Sequence, residues 1–249
     1  MSSPNFYVVA RVTSRKGALP IWRQRITSLV DVSAGEKMGD SYYWGYSLDG
    51  DEDTIMGLEG YTHPVGFFIG HFETDVFKEQ GKLIDKDELL ATQQGLDSPD
   101  YDLHHYDEVG GWVKRADDPE RDSKTSHQAA FQFYSKPEDR EGVLRKLAAF
   151  ADELKRTQGA TGPVQSALVL KEVRVPTMAT LWLRYVTLIW RNIFLQPIKL
   201  TWELLLEPKV QKLSRISNHL ARFQSSLRIL NRLLQSSCCV KHSLLMDIW

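Results

Sequence analysis

The residues best able to do chemistry gather in the first 113 positions of this 249-residue chain. Glu59 sits in an otherwise apolar run, Ile55-Met-Gly-Leu-Glu-Gly-Tyr61, and His71 follows twelve positions later with His63 between them. His104 and His105 come near the end of the stretch, ahead of Trp112. A carboxylate and several imidazoles among aromatic rings can pass protons to and from a bound molecule, since burial or a neighbouring charge moves their pKa values toward neutrality. Tyr42, Trp44 and Tyr46 alternate along one segment, so on a strand they share a face. Each residue also suits a structural role. His71 fits a pair with a carboxylate, His63 fits a helix cap, and the Tyr42, Trp44 and Tyr46 face fits the packing side of a sheet. His104 and His105, as neighbours on a strand, point to opposite faces and cannot jointly hold a metal.

Other chemistries are not readable. No Ser-His-Asp or Cys-His arrangement is present, and Gly110-Gly111 lacks the GxGxxG context of a nucleotide loop. The two cysteines, Cys238 and Cys239, are adjacent and have no CxxC spacing, so neither a disulfide framework nor a zinc site is expected. The acidic run Asp49–Asp53 reads as a solvated hairpin turn. A net charge of −1 argues against a nucleic-acid partner for the chain as a whole. That balance hides an asymmetry. Residues 186–249 carry nine Lys and Arg against three acids, leaving 22 bases and 29 acids in the rest. The N-terminus shows no basic region followed by a long apolar run, and no uncharged stretch reaches the roughly 18 residues of a membrane span. These features lead us to expect a cytoplasmic location.

The elements that must position these residues follow from periodicity. Phe6–Val12 is a β-branched and aromatic strand. Leu19, Trp22, Ile26, Leu29 and Val30 give a helix over 18–33, ended by Gly35 and Gly39. Ser41–Ser47 and Thr54–Tyr61 form a strand pair about the acidic turn. Pro64 suits a first helical turn, and a helix is expected from there to about Gln80. Tyr101–Val113 closes the unit as a fourth strand, and 116–125 is a charged linker.

The pattern then restarts. Gln128–Tyr134 alternates like a strand, and Ser135-Lys-Pro-Glu138 reads as a capping box. Val143, Leu147, Phe150, Ala151 and Leu154 line a helix, four of them 121 positions after Trp22, Ile26, Leu29 and Val30. Pro163–Val173 and Thr177–Tyr185 supply two more strands. Thr180-Leu-Trp-Leu-Arg-Tyr185 has the shape of Met56–Tyr61, with Arg184 read at the place of Glu59 and Gln196 at the place of His71. The expected domains are a first module at 1–115, a second and incomplete module at 126–185, and a basic, helix-like tail at 186–249. Two origins fit the tail. It is a helical extension that packs on a sheet or presents a basic face to a membrane, or it is translated from outside the true reading frame. The break in mid-module favours the second origin.

Residues 5–115, in the order strand–helix–strand–strand–helix with Glu59 and His71 at their separation, resemble the antibiotic biosynthesis monooxygenase family. The resemblance implies an α+β fold of ferredoxin-like modules, an antiparallel sheet with helices on one face, that pair into a dimeric α/β barrel. Here the pair is either a homodimer or two copies within one chain. Some family members oxidise phenolic or anthrone-like polyketides with molecular oxygen, without metal or flavin. On that likeness Glu59, His71 and His104 are the expected catalytic residues. Tyr42, Trp44, Tyr46, His63 and Trp112 are the expected substrate contacts, and no cofactor is expected. A cyclase, decarboxylase or isomerase on the same scaffold, and a non-enzymatic binder of hydrophobic ligands, are the alternatives. Haem degradation is a weaker one.

Overall fold

The computed structural model describes residues 5–48, 52–114, 126–158, 164–185 and 239–248. The chain forms two compact units: Met1–Val109 with Leu170–Pro176 and Ser243–Trp249, and Gly110–Val169 with Thr177–His242.

The first unit runs β1 (Phe6–Thr13), α1 (Leu19–Gly35), β2 (Gly39–Ser47), β3 (Thr54–Tyr61), α2 (Asp75–Lys86) and β4 (Tyr101–Trp112), whose last three residues fall to the second unit. The sheet order is β4-β1-β3-β2 with every neighbour antiparallel, the ferredoxin-like arrangement. Alternation divides each strand between two faces. On the face that meets the helices, Ala10, Val12, Trp44 and Ile55 pack against Trp22, Ile26 and Leu29 of α1. Phe6, Val8, Tyr61 and Phe67 form an adjoining cluster. The opposite face is buried as well, at Val9, Met56, Leu58 and Tyr106.

The single helix expected from Pro64 to Gln80 is instead two pieces. Gly66–His71 is one π-helical turn, and the chain breaks before α2 begins at Asp75. Thr74 makes the break. Its hydroxyl donates to the His71 carbonyl at 2.8 Å and accepts from the Phe77 amide at 3.2 Å. It therefore closes one turn and caps the next helix, a competition that the apolar periodicity does not register.

The second unit holds β5 (His127–Tyr134), a 3₁₀ turn at Pro137–Asp139, α3 (Arg140–Gln158), β6 (Val164–Glu172), whose last three residues fall to the first unit, and β7 (Met178–Tyr185). Its order β5-β7-β6 repeats β1-β3-β2, so the internal repeat is real. Three details differ from expectation. The Ser135 hydroxyl donates to the Lys136 carbonyl, and no side chain caps the turn that opens at Pro137, so the capping box does not form. Leu144 is buried where Val143 was expected. Leu183, not Arg184, occupies the position of Glu59. Phe6 lies opposite Tyr61 and Val8 opposite Glu59, while His127 lies opposite Tyr185 and Ala129 opposite Leu183. Arg184 thus takes the place of Gly60 and points to the other face, where it is buried and donates to Ser166 Oγ at 3.4 Å and Ser126 Oγ at 3.2 Å. Of the expected helical tail, 186–238, including Gln196, lies outside the described residues. Cys239–Ile248 is a strand, β8, which pairs with β2 from Gly45 to Ser47. Among the described residues no helix is long and apolar enough to cross a membrane.

Replacing Thr74 with Ala removes both the cap and the tie to His71. Chemical denaturation should show a loss of about 1 kcal/mol. A variant as stable as the wild type would show that the break is set elsewhere.

Candidate active site

Between the helices and the sheet of the first unit lies a cavity of about 180 Å³. Its walls are apolar and aromatic, with Val8, Ala10 and Leu103 from the sheet, Trp22 from α1, and Phe67, Phe72 and Phe77 from the π turn to α2. Glu59 is the one carboxyl group among the lining residues. Leu96 also lines the cavity and is 70% exposed, marking where it meets solvent. The loop bearing Leu96 is held by the Asp100 carboxylate, which accepts from the Thr92 amide at 2.7 Å and the Thr92 hydroxyl at 3.0 Å.

Cross-strand register brings the chemistry together. Tyr42, Glu59, Val8 and His105 form one row across β2, β3, β1 and β4, and Trp44, Gly57, Ala10 and Leu103 form the next. Gly57 matters here. A Cβ at this position would lie 2.5 Å from the Trp44 ring, so only glycine lets the indole lie flat across β3. The indole Nε1 then donates to Glu59 Oε1 at 3.2 Å, and the Tyr61 hydroxyl donates to Glu59 Oε2 at 3.0 Å. Tyr42 hydrogen-bonds the same carboxyl group. Burial pushes the Glu59 pKa up, and the nearby His71 imidazole with the donors Tyr61, Trp44 and Tyr42 pulls it only part of the way back. Burial, with the Glu59 charge adding to it, also raises the Tyr42 and Tyr61 hydroxyls well above the usual phenol range, so both stay protonated and donating.

His71 is completely buried behind this collar. Its Nδ1 lies 2.7 Å from Glu36 Oε1, and its ring packs against Phe77 at 5.1 Å and Tyr42 at 5.6 Å, both lining residues. It is not itself part of the cavity wall. Tyr42 and Trp44 line the cavity as expected, whereas Tyr46 packs at the edge of the same apolar cluster.

Three expected site residues lie elsewhere. His104 falls in the alternate set on β4 and points away from the cavity, with Nε2 at 3.3 Å from Asp102 and Nδ1 at 3.6 Å from Glu172. The hydrogen bond with Asp102 raises its pKa, against the effect of burial. Its neighbour His105 takes the helix-facing side instead, between the rings of Phe6 at 5.8 Å and Phe68 at 5.5 Å. Burial, reinforced by Arg174, lowers the pKa of His105. His63 is exposed and caps its own turn, accepting from the Val65 amide at 3.1 Å. Trp112 belongs to the second unit and donates to the Gln165 carbonyl at 3.0 Å. The site also includes residues that the motifs do not single out: Tyr61, Glu36 and Gln80. Only Tyr61 carried a signal, two positions after Glu59 on the same strand face.

No family model matches the chain, and no curated protein matches its sequence. Solved structures do. A Fusobacterium nucleatum protein described as a "putative monooxygenase" superposes with a TM-score of 0.62 at 9% identity, covering 100% of this chain and 93% of that one. Another so described, from Lactobacillus acidophilus, gives 0.63 at 10% identity over 99% and 93%. An anthrone oxidase-like protein gives 0.54 at 10% identity over 99% and 92%. The described residues therefore share the fold of these proteins, in keeping with the resemblance to the antibiotic biosynthesis monooxygenases.

Two measurements probe the collar. Gly57→Ala should displace Trp44, changing the near-ultraviolet circular dichroism and lowering stability by about 1–3 kcal/mol. An unchanged spectrum would mean that the ring does not rest on Gly57. Because the folded pKa of Glu59 is raised, the native state holds a proton that the unfolded chain releases. Stability from this group is therefore full below its ordinary value of 4.5 and is lost as pH rises through the raised value. Glu59→Gln should thus gain on the wild type across that window and then level off, read by urea denaturation from about pH 4 to pH 8. A pH-independent difference would contradict the assignment.

Proposed function

We propose that the first unit is a monooxygenase-type enzyme that oxidises a hydroxyaromatic or anthrone-like compound with molecular oxygen, and that Glu59 is its base. The observation that carries this reading is a single carboxyl group, its pKa raised by burial, in the wall of a mostly apolar and aromatic cavity. A base of raised pKa takes a proton more readily near neutral pH, and apolar walls keep water from a reactive carbanion.

The chemistry balances without an external reductant. Glu59 takes a proton from the acidic methylene of an anthrone-type substrate and leaves a delocalised carbanion. The carbanion passes electrons to oxygen, a carbon–oxygen bond forms, and the resulting peroxide takes the proton back from Glu59 to give a hydroperoxide. Loss of the second methylene proton breaks the oxygen–oxygen bond and yields the ketone and water. One oxygen atom stays in the product, and the substrate supplies all four electrons. The hydroxyls of Tyr42 and Tyr61 and the indole of Trp44 hold the base in place. His71, tied to Glu36, acts as a positioning residue behind Tyr42. The His104 role expected from the sequence is not carried forward, because its side chain lies on the other face.

Oxygen uptake by metal-stripped protein, measured against anthrones, naphthols and hydroquinones, tests the reading. Uptake with quinone formation should survive chelator and fall by about 10²- to 10⁴-fold in Glu59→Gln. Product formation without oxygen would point to a cyclase or isomerase, and full activity in Glu59→Gln would remove Glu59 as the base.

A further inference from the structure

Gln80 lies on the buried face of α2, three residues after Phe77 and four before Ile84, and lines the cavity with both. It is 9% exposed, yet its Oε1 has no hydrogen-bond partner among the described residues. Buried polar side chains are rarely left so, because the lost hydration is not recovered. An apolar residue would fill this helix face without that penalty. Glu59 projects from the sheet wall opposite, so the cavity has a polar group on both its helix wall and its sheet wall. Apolar cavities of about 150 Å³ hold a benzene-sized ring, and this one, at about 180 Å³, takes a small flat ring system.

We propose that Gln80 is a specificity residue which selects a planar aromatic carrying a second hydroxyl, one oxygen function held at Glu59 and the other hydrogen-bonded to the Gln80 amide. This rests on the hydroxyaromatic reading of the cavity. A hydroxyl suits the amide in either orientation, since it both donates and accepts. Neither a bare hydrocarbon nor a monohydroxy compound satisfies both walls.

The test is calorimetric titration of the full chain, without oxygen so that no turnover intervenes, with 1-naphthol and with the isomers of dihydroxynaphthalene. At least one diol should bind about tenfold more tightly than 1-naphthol. Gln80→Met, close in volume and apolar, should erase that preference, so that no diol binds more than about twofold more tightly than 1-naphthol. Equal binding of 1-naphthol and every diol by the wild type overturns the role of Gln80 whatever the variant does, and so does a preference that survives in Gln80→Met. Failure of the wild type to bind any naphthol overturns the hydroxyaromatic reading itself, and this inference with it.

Discussion

Burying the Glu59 carboxyl group constrains its neighbours on two strands and a helical turn. A carboxylate removed from water must either find donors or take up a proton. Here the donors are aromatic, Trp44 from β2 and Tyr61 from β3, with Tyr42 beside them. Each adds apolar surface to the wall while spending its polar edge on the acid. The collar thus reconciles an ionisable group with a cavity that is mostly hydrophobic. It also explains Gly57, a residue that would weaken an ordinary strand interior. The indole lies where a side chain would have been.

The helical layer is shaped to the same end. A continuous helix from Pro64 would carry its residues past the collar at regular spacing. The π turn, stopped by Thr74, instead fixes His71 with its ring against Tyr42 and its Nδ1 on Glu36. Phe67, Phe72 and Phe77 then pack in succession as tilted rings, with centroids 4.5 Å apart at each step. One irregularity of backbone thereby places both the imidazole and an aromatic wall. π turns often occur at such sites.

How much of this could be read from residues alone varies with the physics involved. The strands of the first unit and α1 were legible because alternation and helical spacing act locally. The shared face of Tyr42, Trp44 and Tyr46 followed from the same rule. The choice between His104 and His105 was not legible, because parity shows that they diverge but only the pairing of Val8 with His105 shows which one faces the helices. Arg184 stands one position beyond the counterpart of Glu59, and one position is enough to exchange the faces of a strand. Trp112 looked like part of the first site because sequence distance does not reveal where one compact unit ends. Gln80 gave no signal at all, since an amide on an amphipathic helix usually faces water.

The first unit is not one stretch of chain. Besides Met1–Val109 it takes in Leu170–Pro176, which follows β5 and α3. Within that short return, the Glu172 carboxylate faces His104 and the Val173 amide donates to the His105 carbonyl at 2.8 Å. A gene fragment cut in the charged linker would keep every residue of the cavity wall and still leave β4 without these partners. The repeat is duplicated in sequence, but its first unit draws on residues that come later in the chain, so the boundary between the copies is not the boundary of that unit.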